Sequence, residues 1–101
     1  MEEHKNILPD RAIAEAILAL YQLIQLRNCY NGDWVPDWTN YKQDKFTIEF
    51  RNGKIFCSGA LITSVLLCFK TEELRDEFLR NFRPIIEKLK PLYGIKEGGE
   101  G

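Results

Sequence analysis

The densest group of chemistry-bearing side chains is Trp34-Val35-Pro36-Asp37-Trp38-Thr39-Asn40-Tyr41. Aromatic rings held on an ordered loop can stack on bases or sugars, and a neighbouring carboxylate or carboxamide can fix such a ligand by hydrogen bonds. Trp34, Asp37, Trp38, Asn40 and Tyr41 therefore form a candidate binding loop. A structural reading competes with it. Both tryptophans then fold back over the core, Pro36 stiffens the loop and Asp37 caps the local turn.

Other chemistry has less to build on. Nucleophilic catalysis needs a base beside Cys or Ser, and the one histidine, His4, precedes the first patterned segment. Asp33, Asp37 and Asp44 share one stretch, but their spacing suits neither a metal site nor a glycosidase pair. Gly98-Gly99 lies in the terminal segment and is no phosphate loop. No catalytic residue, metal ligand or cofactor is assigned, and a non-enzymatic protein is expected. Cys29, Cys57 and Cys68 are an odd set, widely spaced and without a Cys-x-x-Cys pair. They suit neither a disulfide framework nor a zinc site. Reduced thiols acting as small hydrophobes in a cytoplasmic protein are expected.

At 101 residues the chain suffices for one domain with one modest core. Its aromatic fraction of 12% and ordinary charged fraction of 29% exclude a disordered or low-complexity chain. A net charge of −1 disfavours nucleic acid, whose binding depends on neutralising phosphates. No apolar run approaches the roughly 18 residues a membrane span requires. The start, Met1-Glu2-Glu3-His4-Lys5-Asn6, lacks the basic and apolar regions of a signal peptide. Residues 1–6 and 96–101 are expected to be disordered tails around a single domain, 7–95.

The elements that must position the loop are legible from periodicity. Ile13, Ala16, Ile17, Leu20, Leu23 and Ile24 recur at helical spacing, which predicts a helix from Pro9 to about Asn28. Pro9 suits its first turn, Asp10 its positive end, and Asn31-Gly32-Asp33 its termination. Leu18 and Leu26 widen the stripe, so this helix is either well buried or touches a second partner. Lys45 to Arg51 alternates strictly, with Phe46, Ile48 and Phe50 on one face. Asn52-Gly53 then predicts a type I′ hairpin that pairs Arg51 with Lys54, Phe50 with Ile55, Ile48 with Cys57 and Phe46 with Gly59. The opposite face (Lys45, Thr47, Glu49, Arg51, Lys54, Phe56, Ser58) is expected to be open. Its Lys45/Arg51/Lys54/Phe56 cluster is interrupted by Glu49 and reads as a solvated face.

Leu61 to Phe69 is read as a third strand, apolar on both faces. Thr71 then caps a helix from Glu72 to about Leu92, striped by Leu74, Phe78, Phe82, Ile85, Leu89 and Leu92. Pro84 on its solvent side predicts a kink, and Gly94 ends it. The fold class expected is α+β in the order α-β-β-β-α: a three-stranded antiparallel sheet with two helices packed on one face. Leu18, Leu26, Ile62 and Leu66 fall off the core faces, as does Cys68. The four aliphatic residues are the candidate interface, and surplus apolar surface of this kind often marks protein contacts. The reading that follows is a protein-interaction module, its partner a second copy through the third strand or the first helix. The alternative is a ligand or single-stranded nucleic-acid binder using Trp34–Tyr41.

Trp34-x-Pro36-Asp37-Trp38-x-Asn40, then Lys45 opening a strand, then Leu67-Cys68-Phe69-Lys70-Thr71-x-Glu73 also form a recognisable sequence of motifs. Over roughly residues 18 to 85 the chain resembles small proteins of unknown function encoded by gut bacteria and their phages or prophages. It lacks their long insertion between the last strands, having only Ser58 to Thr63 there. It also has Glu77-Phe78-Leu79-Arg80 where their final helix often carries Gly and Lys. The resemblance implies a small helix-and-sheet fold in a mobile-element setting, and it brings no catalytic residue with it.

Overall fold

Asp10 starts the first helix by accepting the Ile13 N–H on its carboxylate at 2.8 Å, a standard way of satisfying a helix's orphan donors. In the computed structural model, which describes residues 10–59 and 65–95, α1 spans Arg11–Asn31. It runs one turn past the expected end. Gly32 closes it at φ +63°, its N–H bonded to the Asn28 carbonyl. Pro9 and both terminal segments lie outside the described residues.

The hairpin matches its predicted register. Strands β1 (Phe46–Arg51) and β2 (Lys54–Gly59) pair antiparallel from Phe46↔Gly59 to Arg51↔Lys54. Asn52 and Gly53 both have positive φ, 56° and 78°, as a type I′ turn requires. The third strand departs from expectation. Among the described residues β3 is only Cys68–Phe69, and it pairs with β1 through Phe46↔Phe69 and Thr47↔Cys68. The sheet order is therefore β2-β1-β3, with β1 central. Leu61–Ser64 lie outside the described residues. Val65–Leu67 fall short of a strand because Leu66 turns: its carbonyl accepts the Cys68 N–H at 3.2 Å and an Arg27 N–H at 2.8 Å. The apolar character of Leu67-Cys68-Phe69 comes from their burial in the core.

Thr71 caps α2 (Glu72–Glu87) by accepting the Leu74 N–H. The kink expected from Pro84 is present and centred on Phe82, whose φ and ψ of −125° and 19° are non-helical. The helix ends at Glu87 rather than near Leu92. Pro91 has no N–H to give the Glu87 carbonyl, and the chain tightens into a 3-10 turn, Lys90–Tyr93, closed by Gly94. Leu92 consequently leaves the expected stripe and is exposed.

The core forms where α1 and α2 meet the sheet. Leu23, Ile48, Phe69, Phe78, Ile86 and Leu89 are buried there. Phe78 is its centre, with the rings of Phe69, Phe82 and Tyr30 at 4.7, 5.0 and 5.2 Å. Phe50 packs on Tyr93. The other sheet face is not open along its whole length. Lys45 and Thr47 are 2% and 0% exposed, because the tryptophan loop covers Lys45 and Cys68 flanks Thr47. This removes Lys45 from the expected basic cluster, leaving Arg51 stacked 3.9 Å above the Phe56 ring.

One buried amide ties α1 to β3. Asn31 donates to the Cys68 carbonyl at 2.9 Å and accepts the Lys70 N–H at 3.2 Å. Asn31→Ala would leave the buried Cys68 carbonyl short of a partner, at about 1–3 kcal/mol, and would release the part-buried Lys70 N–H. Urea unfolding followed by circular dichroism should register a loss of at least about 1 kcal/mol.

Candidate functional site

The loop between α1 and β1 has no regular structure and is held by its own side chains. Asp37 accepts the Thr39 N–H and hydroxyl on one carboxylate oxygen, at 3.1 and 2.6 Å. Its own N–H donates to Gln43, whose amide reaches back to the Val35 carbonyl. Asn40 accepts the Lys42 N–H. Asp37 and Asn40, expected as ligand-fixing groups, thus have side-chain oxygens engaged in shaping the loop. The Thr39 hydroxyl and then its N–H hold the Asp37 carboxyl below the usual carboxylate range.

Lys45 anchors this loop from beneath. Its ammonium donates to the carbonyls of Asn40 at 2.8 Å and Gln43 at 3.2 Å, and lies 5.5 Å from the centre of the Trp38 ring. Trp34 and Trp38 are half-buried, while Tyr41 is exposed. The two competing readings of the loop therefore each describe part of it: Trp38 covers Lys45, yet both indoles still border open space.

That space is a cleft of about 590 Å³. The last turns of α1 (Arg27, Asn28, Asn31) form one side. Trp34, Val35, Pro36 and Trp38 form another, and Val65, Leu66 and Cys68 the third. Arg27 donates to the Leu66 carbonyl and to the Asn28 side-chain oxygen. Burial pushes the Cys68 thiol up to about 11 despite the nearby charges of Lys45 and Arg27, so it is neutral near pH 7. Periodicity alone did not single out Arg27, Asn28 or Asn31. The available signal was that Arg27 is the first charge after Glu15 on α1 and sits one turn before the helix end.

The cysteines are free. Cys68 is buried and Cys57 partly so, with burial pushing the Cys57 thiol upward. Cys29 is exposed, so the expectation that all three serve as small hydrophobes fails there. His4 lies outside the described residues, and among those described no cluster of His, Cys, Asp or Glu could hold a metal. No described helix is long and apolar enough to cross a membrane.

The three candidate interface residues among those described, Leu18, Leu26 and Leu66, do not share one surface. Leu66 is half-exposed beside the cleft, next to Arg27. Leu18 lies nine residues before Arg27, which at about 100° per residue places it on the opposite side of α1. Leu26 is partly buried against the core and borders a shallow groove with Tyr21, Gln22, Gln25 and Ile85. Ile62 lies outside the described residues. What the structure adds is the outer face of α1, where Ile17, Leu18 and Tyr21 are 52%, 59% and 62% exposed. The sequence signal for it is the run Ala16–Leu26, which carries no charged residue.

Compared with protein-family models, curated proteins and solved structures, the chain matches none.

Proposed function

We propose that this protein is an interaction module that associates with a second copy of itself through the outer face of α1. The observation that carries this reading is the exposure of Ile17, Leu18 and Tyr21 on a helix uncharged from Ala16 to Leu26. A surface helix normally sets charged residues against its apolar stripe, and one that is apolar on both sides needs a second cover. Its inner side, Ala16, Ala19 and Leu23, is already against the core. A second copy is the economical cover. An antiparallel pairing about a two-fold axis near Leu18 sets the uncharged run Ala16–Leu20 against itself, places Glu15 opposite Tyr21 and Arg11 opposite Gln25, and opposes no like charges. The resemblance carried by the tryptophan and Leu67–Glu73 motifs would give this module a phage or prophage setting.

Sedimentation velocity tests the reading. The parent should sediment as a dimer at tens of micromolar, and Ile17→Glu/Leu18→Glu should sediment as a monomer with an unchanged circular dichroism spectrum. Both side chains are more than half exposed, so the substitutions leave the core intact. A monomeric parent at about 100 μM, or a folded double variant that remains dimeric, would reject this surface.

A further inference from the structure

We infer that the cleft bounded by Arg27, Trp34, Trp38 and Leu66 is a binding site for a small planar aromatic monoanion. It lies on the opposite side of α1 from the proposed self-association face and does not depend on it.

The charge in the cleft is that of Arg27, which is partly exposed and whose setting differs from that of Arg75. Arg75, nearly buried, is neutralised by Glu72 and Asp76 at 3.4 and 3.0 Å. Arg27 has no carboxylate partner among the described residues. Three of its N–H groups are bound, two to the Asn28 side-chain oxygen and one to the Leu66 carbonyl. All are neutral acceptors. They orient the guanidinium without cancelling its charge, and two of its five N–H donors are left for a ligand. A carboxylate uses such a donor pair well, since charge-assisted bonds to a guanidinium are the stronger kind. Cys68, the other ionisable group in the cleft lining, is a neutral thiol and offers an anion no repulsion.

The body of the ligand follows from the walls. Two indoles, a proline and the aliphatic side chains of Val35, Val65 and Leu66 border the space, and its volume lies within the range of small-molecule sites, about 300–1,000 Å³. Indole and proline surfaces favour a flat ring over a branched chain. The charge of the ligand follows from the helix. Arg27 is the one charged side chain in the described lining and pairs with one negative charge; the second charge of a phosphate dianion would be desolvated without a partner, beside the partial negative charge at the C-terminal end of α1. An aromatic carboxylate meets all three conditions.

The test uses 2-naphthoate and its neutral isostere 2-naphthamide, followed by the indole N–H signals of Trp34 and Trp38 in ¹H–¹⁵N NMR. These are the only two tryptophans in the chain, so both reporters lie at the cleft. Naphthoate should shift both signals and bind the parent at least about tenfold more tightly than naphthamide, a typical return for a charged hydrogen bond. Arg27→Gln should bring the two compounds to equal affinity. Equal affinities in the parent, or unmoved indole signals, would overturn the site. The parent comparison decides the matter even if Arg27→Gln fails to fold.

Discussion

Phe78→Ala should come close to unfolding the protein. Phe78 is fully buried and its ring meets those of Phe69, Phe82 and Tyr30. It thus joins α2 to β3 and to the end of α1 at one point. Truncating a buried phenylalanine costs about 3–5 kcal/mol through lost transfer energy and the cavity left behind. Aromatic edge contacts add about 0.5–1.5 kcal/mol each beyond burial. A domain of this size holds only about 5–15 kcal/mol in all. The urea midpoint of Phe78→Ala should therefore fall by a third or more, and Phe78→Leu, which keeps most of the volume, should lose much less. A loss below about 1 kcal/mol for the alanine variant would mean the four rings are not the centre of the core.

The second large effect is expected at Lys45. Every group around its ammonium is arranged for a cation: two backbone carbonyls and the face of Trp38, which is electron-rich. Lys45→Glu would place a carboxylate among groups that all repel it, and an uncompensated buried charge costs about 3–5 kcal/mol. Lys45→Met keeps the length of the side chain but drops both hydrogen bonds, and about 1–3 kcal/mol is expected. Acrylamide quenching of Trp38 should rise in both variants as the loop loses its anchor, and the order of stability should be parent, Met, Glu. If Lys45→Glu unfolds within about 0.5 kcal/mol of the parent, the ammonium is reaching solvent and the loop is held from elsewhere.

These two positions also mark how far the sequence could be read. Phe78 was legible because helical spacing put it in the middle of α2's stripe. The hairpin was legible for a similar reason: strict alternation and Asn52-Gly53 leave one register. Lys45 was misread because alternation sets its side, Thr47's side, but not whether anything covers it. The cover is the 33–44 loop, whose shape comes from side-chain bonds of Asp37, Asn40 and Gln43 and carries no periodicity. Val65–Leu67 read as strand because an apolar run suits an irregular segment as well as a strand, and the carbonyl of the turn at Leu66 is bonded by Arg27, 39 residues away. The same long-range bond hid the cleft. Its apolar half was visible as a cluster of tryptophans, but its charge comes from a helix that only the fold brings alongside.

The central place of β1 in the sheet also has a consequence in time. Its pairing with β2 is local and closes through a two-residue turn, an event of about 1–10 μs. Its pairing with β3 must wait for residues about twenty positions further on, and among the described residues it then engages Phe46 and Thr47, with the Ile48 N–H bonded to the Leu67 carbonyl. A chain caught between these steps carries a finished hairpin with one edge of its middle strand bare. Bare strand edges recruit other chains. Refolding yield should therefore depend on concentration more steeply than the small size of the domain suggests, with the hairpin whose middle strand is still bare on one edge as the species that goes astray.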